Sequence, residues 1–233
     1  MIIEVCANSF ESAYAAEKGG ANRIELCTNL SVGGLTPNRE LINKVLTELA
    51  ISTHVLIRPR DGDFVYSTEE FQTMLDDIKY CKAMGCAGVV SGILTTNGNI
   101  NFEYNQQLIK ASEGMEFTFH RAFDVSRDPL QTLEDLKLLG VTRLLSSGQQ
   151  AKAFDGIELL IELKRRSEDK IQIMPGSGIN KENALVFKNA NFDSIHFSAI
   201  KKSDQPTSAS FFETGVEGAS DLKLVREMVR LLA

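Results

Sequence analysis

Short runs in which apolar and polar residues alternate recur along the chain, separated by longer stretches of helical period. The β-rich runs fall at residues 2–6, 23–27, 53–58, 87–91, 115–120, 143–147, 171–174 and 194–198. Helical patterns occupy 9–19, 37–49, 68–84, 102–112, 128–139, 151–166, 180–190 and 220–232. The punctuation agrees: Gly19-Gly20, Gly85 and Gly140 stand where helices should end. Ser9, Asn38, Thr68 and Asp128 stand near helix starts, the last followed by Pro129. Thr68-x-x-Phe71 is not a capping box, although Glu69 and Glu70 suit the positive end of a helix dipole. Strand–helix alternation implies parallel pairing. Eight such units in 233 residues fit a closed (β/α)₈ TIM barrel, a single domain spanning residues 1–233, better than an open doubly wound sheet.

The strand faces carry the functional information. A barrel strand covered on both sides normally reads apolar throughout. Here Ile3 and Val5 oppose Glu4 and Cys6, and Ile24 and Leu26 oppose Glu25 and Cys27. Phe117 and Phe119 likewise oppose Glu116, Thr118 and His120, while Ile195 and Phe197 oppose Ser194, His196 and Ser198. Successive side chains point to opposite faces. The apolar set should therefore meet the helices, and the polar set should converge inside the barrel near its C-terminal mouth. Such an interior is costly unless its members are paired or hydrated. A buried network that only fixes the barrel is the plainer interpretation of any one residue; the whole set on one rim favours a site.

Further candidates stand at the strand ends. Arg58 and Arg60 follow the third strand and suit a carboxylate or phosphate, or else neutralise Glu4 and Glu25. His120 is the best proton-transfer candidate, with Glu4 or Glu25, and Arg121 and Asp124 follow it. The turns around Ser147 and Gly148, and Gly176 to Gly178, could bring backbone N–H groups to an anion, since the loop after the seventh strand is a recurrent phosphate site in barrels. The irregular stretch from Lys201 to Ala219 is long enough to suggest a functional or mobile loop.

Cys6 and Cys27 occupy equivalent ends of neighbouring strands, which lie about 4.8 Å apart in a sheet. If register aligns them, two thiolates could grip one soft ion, and paired sulfur favours Cu(I); buried cysteine otherwise behaves as a small hydrophobe. Cys81 and Cys86 read as packing. Four cysteines without a signal-peptide pattern are expected to be reduced thiols in the cytoplasm. The net charge of −6 argues against an electrostatic binder of nucleic acid or anionic membrane, and no apolar run is long enough to span a bilayer.

Several long segments, in order, make a specific match. EVCANSFESAYAAEKGGANRIELCTNLSVGGLTP, VLIRPRDGDFVYS, FTFHRAFDVSRDPLQTLEDL, SSGQ, MPGSGIN and IHFSA together resemble the CutC family through about residue 200. The resemblance implies a cytoplasmic TIM-type barrel that self-associates, a dimer being the expected state, with a role in copper tolerance or copper binding. It also implies that the metal ligands correspond to Cys6 and Cys27. Three departures stand out. Met174-Pro175-Gly176-Ser177-Gly178 replaces a run of three glycines, Ser91-Gly92 replaces an aromatic–Gly pair, and the chain beyond residue 200 matches poorly. Two functions follow as expectations: copper homeostasis, with Cu(I) on the paired cysteines, or an enzyme acting on a small anionic metabolite, phosphorylated or not. The enzyme would use Glu4, Glu25 and His120 for proton transfer, with Arg58, Arg60, Arg121, Asp124, Ser147, Gly148, Gly176, Gly178 and His196 around the substrate.

Overall fold

The structure, a computed structural model, describes residues 1–200 and 218–233; most of the irregular stretch from Lys201 therefore lies outside the described residues. Eight strands form one parallel sheet: β1 Ile2–Ala7, β2 Arg23–Leu26, β3 Ser52–Leu56, β4 Gly88–Ser91, β5 Glu116–Phe119, β6 Arg143–Ser146, β7 Gln172–Pro175 and β8 Ser194–Phe197. Eight helices alternate with them: α1 Phe10–Gly19, α2 Arg39–Glu48, α3 Thr68–Met84, α4 Phe102–Ala111, α5 Pro129–Leu139, α6 Ile157–Ser167, α7 Ala184–Asn189 and α8 Leu222–Leu232. The strands run in the order β7-β6-β5-β4-β3-β2-β1-β8. A parallel bridge between Gly176 and His196 closes the ring. This is the expected TIM barrel.

Most helix starts follow from local chemistry. Ser9, Asn38 and Asp128 each accept a backbone N–H of the first turn. For α3 the cap is Ser67, one residue before the expected Thr68. Ser67 and Glu70 make a reciprocal capping box that the offset starting point had hidden. The sixth helix begins at Ile157 rather than 151, because residues before it form a turn that brings Gly156 against the β6 loop. The seventh is likewise shortened to Ala184–Asn189, behind a turn in which Asn180 and Asn183 bond the Gly178 carbonyl.

The expected parity holds. Ile3, Val5, Ile24, Leu26, Val55, Ile57, Phe117, Phe119, Ile195 and Phe197 join the main core between sheet and helices. Cys6, Cys27, Leu56 and Val90 form a separate small cluster inside the ring. Deeper in the barrel lies an ionic layer. Arg23 donates to Glu4, and Arg143 donates to Glu116 at 2.7 Å, Thr118 at 3.0 Å and Gln172 at 2.7 Å. His54 lies 3.6 Å from Glu116. Glu4, Arg23 and Arg143 are buried while Glu116 is half-exposed, and buried charges persist only when paired.

Candidate functional site

The strand ends enclose a cavity of about 120 Å³ at the mouth of the barrel. Cys6, Glu25, His196, Arg58, His120 and Arg121 line it. Leu30, Leu56, Phe64, Leu145 and Phe197 complete its apolar walls. The barrel thus gathers most of the chemistry-bearing residues at its C-terminal end, where such folds place their sites.

The first group is soft and acidic. Cys6 Sγ lies 3.6 Å from Cys27 Sγ and 3.9 Å from Glu25 Oε1. The thiols meet although register does not align them: Cys6 stands opposite Glu25, and Cys27 lies two residues further on. Ligating atoms of Cys6, Glu25 and His196 all lie within 4.8 Å of one another. His196 Nδ1 lies 2.8 Å from Glu4 Oε1, and Arg23 holds the other Glu4 oxygen.

The electrostatics follow from this arrangement. Burial would raise the Glu4 pKa, but His196 and Arg23 outweigh it and hold the group well below the carboxylate range. Burial and the nearby Glu4 anion push Glu25 the other way, up to about 7, and its Oε2 has no hydrogen-bond partner. Burial opposes the His196 charge, yet Glu25, Cys6 and Glu4 raise its pKa above the usual imidazole value. The Cys27 thiol and burial raise the Cys6 pKa, so Cys6 rests as a thiol.

The second group carries positive charge. Arg58 Nη1 donates to the Val32 and Gly34 carbonyls at 2.8 and 2.9 Å, and Nη2 to Gly62 at 3.0 Å. It does not neutralise Glu4 or Glu25; Arg23 serves Glu4. Arg60 stands outside the cavity lining, tied to Glu70 at 2.7 Å and Asp63 at 2.9 Å. His120 Nδ1 accepts the Ala122 N–H at 3.3 Å. Burial, with Arg58 and Arg121 nearby, pushes its pKa down to about 3. His120 is therefore a neutral donor at ordinary pH, poorly suited to take up a proton.

Asp124 and the glycine turns have structural work. Asp124 is buried and accepts from Arg121 Nε, the Ser146 and Ser147 hydroxyls, and the Ser147 and Gln149 N–H groups. The N–H groups that sequence suggested for a bound anion are thus partly taken by an internal carboxylate. Gly148 donates its N–H to Ser146 Oγ, and a Cβ there would lie 2.3 Å from the Gly156 carbonyl oxygen. A Cβ on Gly176 would meet the Leu145 side chain of β6 at 2.5 Å and His196 Cβ of β8 at 3.3 Å, so that glycine makes room for Leu145. Gly178 packs against Lys152, and from this turn only Ser177 lines the cavity. Sequence reasoning passed over Arg23, His54 and Arg143; their parity with Glu25, Leu56 and Leu145 was the available signal.

Fold and site together define a parallel β/α barrel with a thiol–carboxylate–imidazole cluster and a cationic wall lining one small cavity. The chain belongs to the CutC family, whose family model matches residues 1–201. A CutC family protein from Pasteurella multocida is 46% identical over 199 residues, covering 85% of this chain and 82% of the relative. One from Enterobacter sp. is 41% identical over 220 residues, covering 94% and 88%. A crystal structure from Streptococcus agalactiae, named as a proposed copper homeostasis protein CutC, superposes with a TM-score of 0.80. Identity to it is 33%, over 85% of this chain and 98% of that one. Thiamine phosphate pyrophosphorylase from Pyrococcus furiosus, at 16% identity and a TM-score of 0.63, shares the fold alone.

Proposed function

We propose that this protein takes part in copper homeostasis in the cytoplasm by binding Cu(I) as cargo between Cys6 and Cys27, with His196 as a neighbouring donor. The observation that carries the reading is the 3.6 Å approach of the two thiols beside an imidazole and a carboxylate. All four cysteines are free and buried, so Cys6 and Cys27 are chemically available. Thiolates suit a soft monovalent ion, and binding must displace the thiol protons, so affinity rises with pH. The copper name of the Streptococcus agalactiae relative agrees. Titration of reduced protein with Cu(I) against a competing chelator should show tight binding by the wild type. The folded Cys6→Ser/Cys27→Ser double variant should lose it; equal affinity in both ends this reading.

One observation favours a second reading, an enzyme acting on a small anion. Glu25, with its pKa near 7 and a free buried oxygen on the cavity, is suited to exchange a proton at neutral pH. In that reading Glu25 carries the acid–base step. Glu4 holds His196 in place, and His120 and Arg58 bind the substrate. The dimer expected from the resemblance is checked by light scattering on the purified protein.

A further inference from the structure

The cationic wall contains a buried guanidinium whose nearest favourable charge is Asp61, with no carboxylate in contact with it among the described residues. Arg58 is 2% exposed, and its three acceptors are neutral carbonyls. Among the described residues it makes no ion pair, unlike Arg23, Arg60, Arg121 and Arg143. Its Nε is buried without a partner. The Phe64 ring fixes the guanidinium from one side, 5.1 Å from ring centroid to Cζ.

His120 presents the same deficit beside it. The ring is 5% exposed and tilted against Phe64, with centroids 4.8 Å apart. Because Nδ1 accepts the Ala122 N–H, the proton belongs on Nε2, and that donor is also buried without a partner. Both residues line the cavity at the barrel mouth. Buried donors left unmade, and a buried cation left unpaired, are rare because they are costly. Both donors belong to side chains that line one cavity, and a ligand that only accepts hydrogen bonds and carries negative charge is the kind that would answer them.

We propose that Arg58 Nε and His120 Nε2 together form the binding site for a compact oxyanion, the carboxylate or phosphate group of a small metabolite. The site shares its cavity with Cys6, Glu25 and His196. The donor set differs from the backbone cradle expected at Gly148 and Gly176 to Gly178, whose amides are partly engaged within the fold. The inference deepens the metabolite reading, on whose cavity it rests. It requires neither turnover nor copper.

The test is binding to metal-free, reduced full-length protein labelled with ¹⁵N-histidine, which has only three imidazoles to assign. Acetate, oxalate and inorganic phosphate are titrated separately, and the His120 Nε2–H resonance is followed. Saturable movement of that resonance by the carboxylates or by phosphate supports the site and names the source. His120→Phe should weaken binding about tenfold or more, whereas His120→Gln, which restores an N–H donor, should recover it. The proposal is overturned if none of the three probes moves the resonance at tens of millimolar, or if folded His120→Phe binds as tightly as the wild type. Oxyanion binding without any turnover would remove the enzyme reading and leave this site standing.

Discussion

Lowering the pH from about 7 to about 5 should destabilise this protein through its buried neutral histidines, and His54 allows the effect to be isolated. The His54 ring is 1% exposed. Burial pushes its pKa down from 6.5 to about 4; Arg23 and Arg143 add to the shift, and Glu4 and Glu116 oppose it. The folded pKa lies below the unfolded one, so the unfolded chain takes up more protons as pH falls through 6.5. The stability contributed by the neutral ring is full above that value and declines below it. At about pH 5 the loss reaches roughly 2 kcal/mol from this residue alone. His120, held down to about 3, contributes a loss of similar size. Glu25, raised to about 7, and His196, also raised, work in the opposite direction, so the comparison with a variant and not the total loss isolates His54. Urea unfolding followed by circular dichroism, at about pH 7 and about pH 5, is the assay. Wild type is compared with His54→Gln. Glutamine lowers stability at both pH values through lost packing, but it cannot titrate. The variant should therefore lose about 2 kcal/mol less than the wild type on acidification. Equal losses in the two proteins would refute the placement of His54 as a buried neutral ring.

Three further outcomes follow from the packing. Arg23→Met should cost about 3–5 kcal/mol by leaving Glu4 buried without its main partner, and adding Glu4→Gln should recover part of that loss in a double-mutant cycle read by urea unfolding. Asp124→Asn should cost about 2–3 kcal/mol, since the charged acceptor for five donors of the β5 and β6 loops disappears; thermal melting checks it. Gly148→Ala should cost at least about 2 kcal/mol, because its Cβ would press on the Gly156 carbonyl from a backbone with φ of +69°; a melting point equal to wild type would contradict that contact.

The barrel was legible because its signals are local. Alternation within a strand and capping at a helix start involve neighbours a few residues apart, and Glu4, Cys6, Glu25 and Cys27 could be turned inward from parity alone. Pairing across strands was less accessible. Which arginine meets Glu4 depends on the register of β1 against β2, where Glu4 stands opposite Arg23. Nothing in either segment states that offset, so Arg58 and Arg60 were natural but mistaken candidates for the neutralising role. The glycine turns show a different limit. A glycine beside a strand end signals close approach of backbone, but sequence does not say whether a ligand or another loop makes the approach. At Gly148 it is Gly156, and at Gly176 it is the Leu145 side chain.

The distribution of ion pairing distinguishes scaffold from site more clearly than residue type does. Deep in the barrel Glu4 meets Arg23 and His196, and the half-exposed Glu116 at the start of β5 meets Arg143. His54 avoids the need for a partner charge by staying neutral. The charged members of this layer are paired with one another, while His54 Nδ1 is left without a hydrogen-bond partner among the described residues; the pairing lets a charged interior exist at all. At the mouth the balance changes. Among the described residues Glu25 bonds a thiol and leaves Oε2 unpaired, Arg58 leaves Nε unpaired, and His120 leaves Nε2 unpaired. Filling the mouth with apolar side chains would have removed those costs, as Leu56 and Val90 do just inside it. A fold that keeps an acid, a cation and an imidazole facing one small cavity retains groups that a ligand can satisfy and the protein cannot.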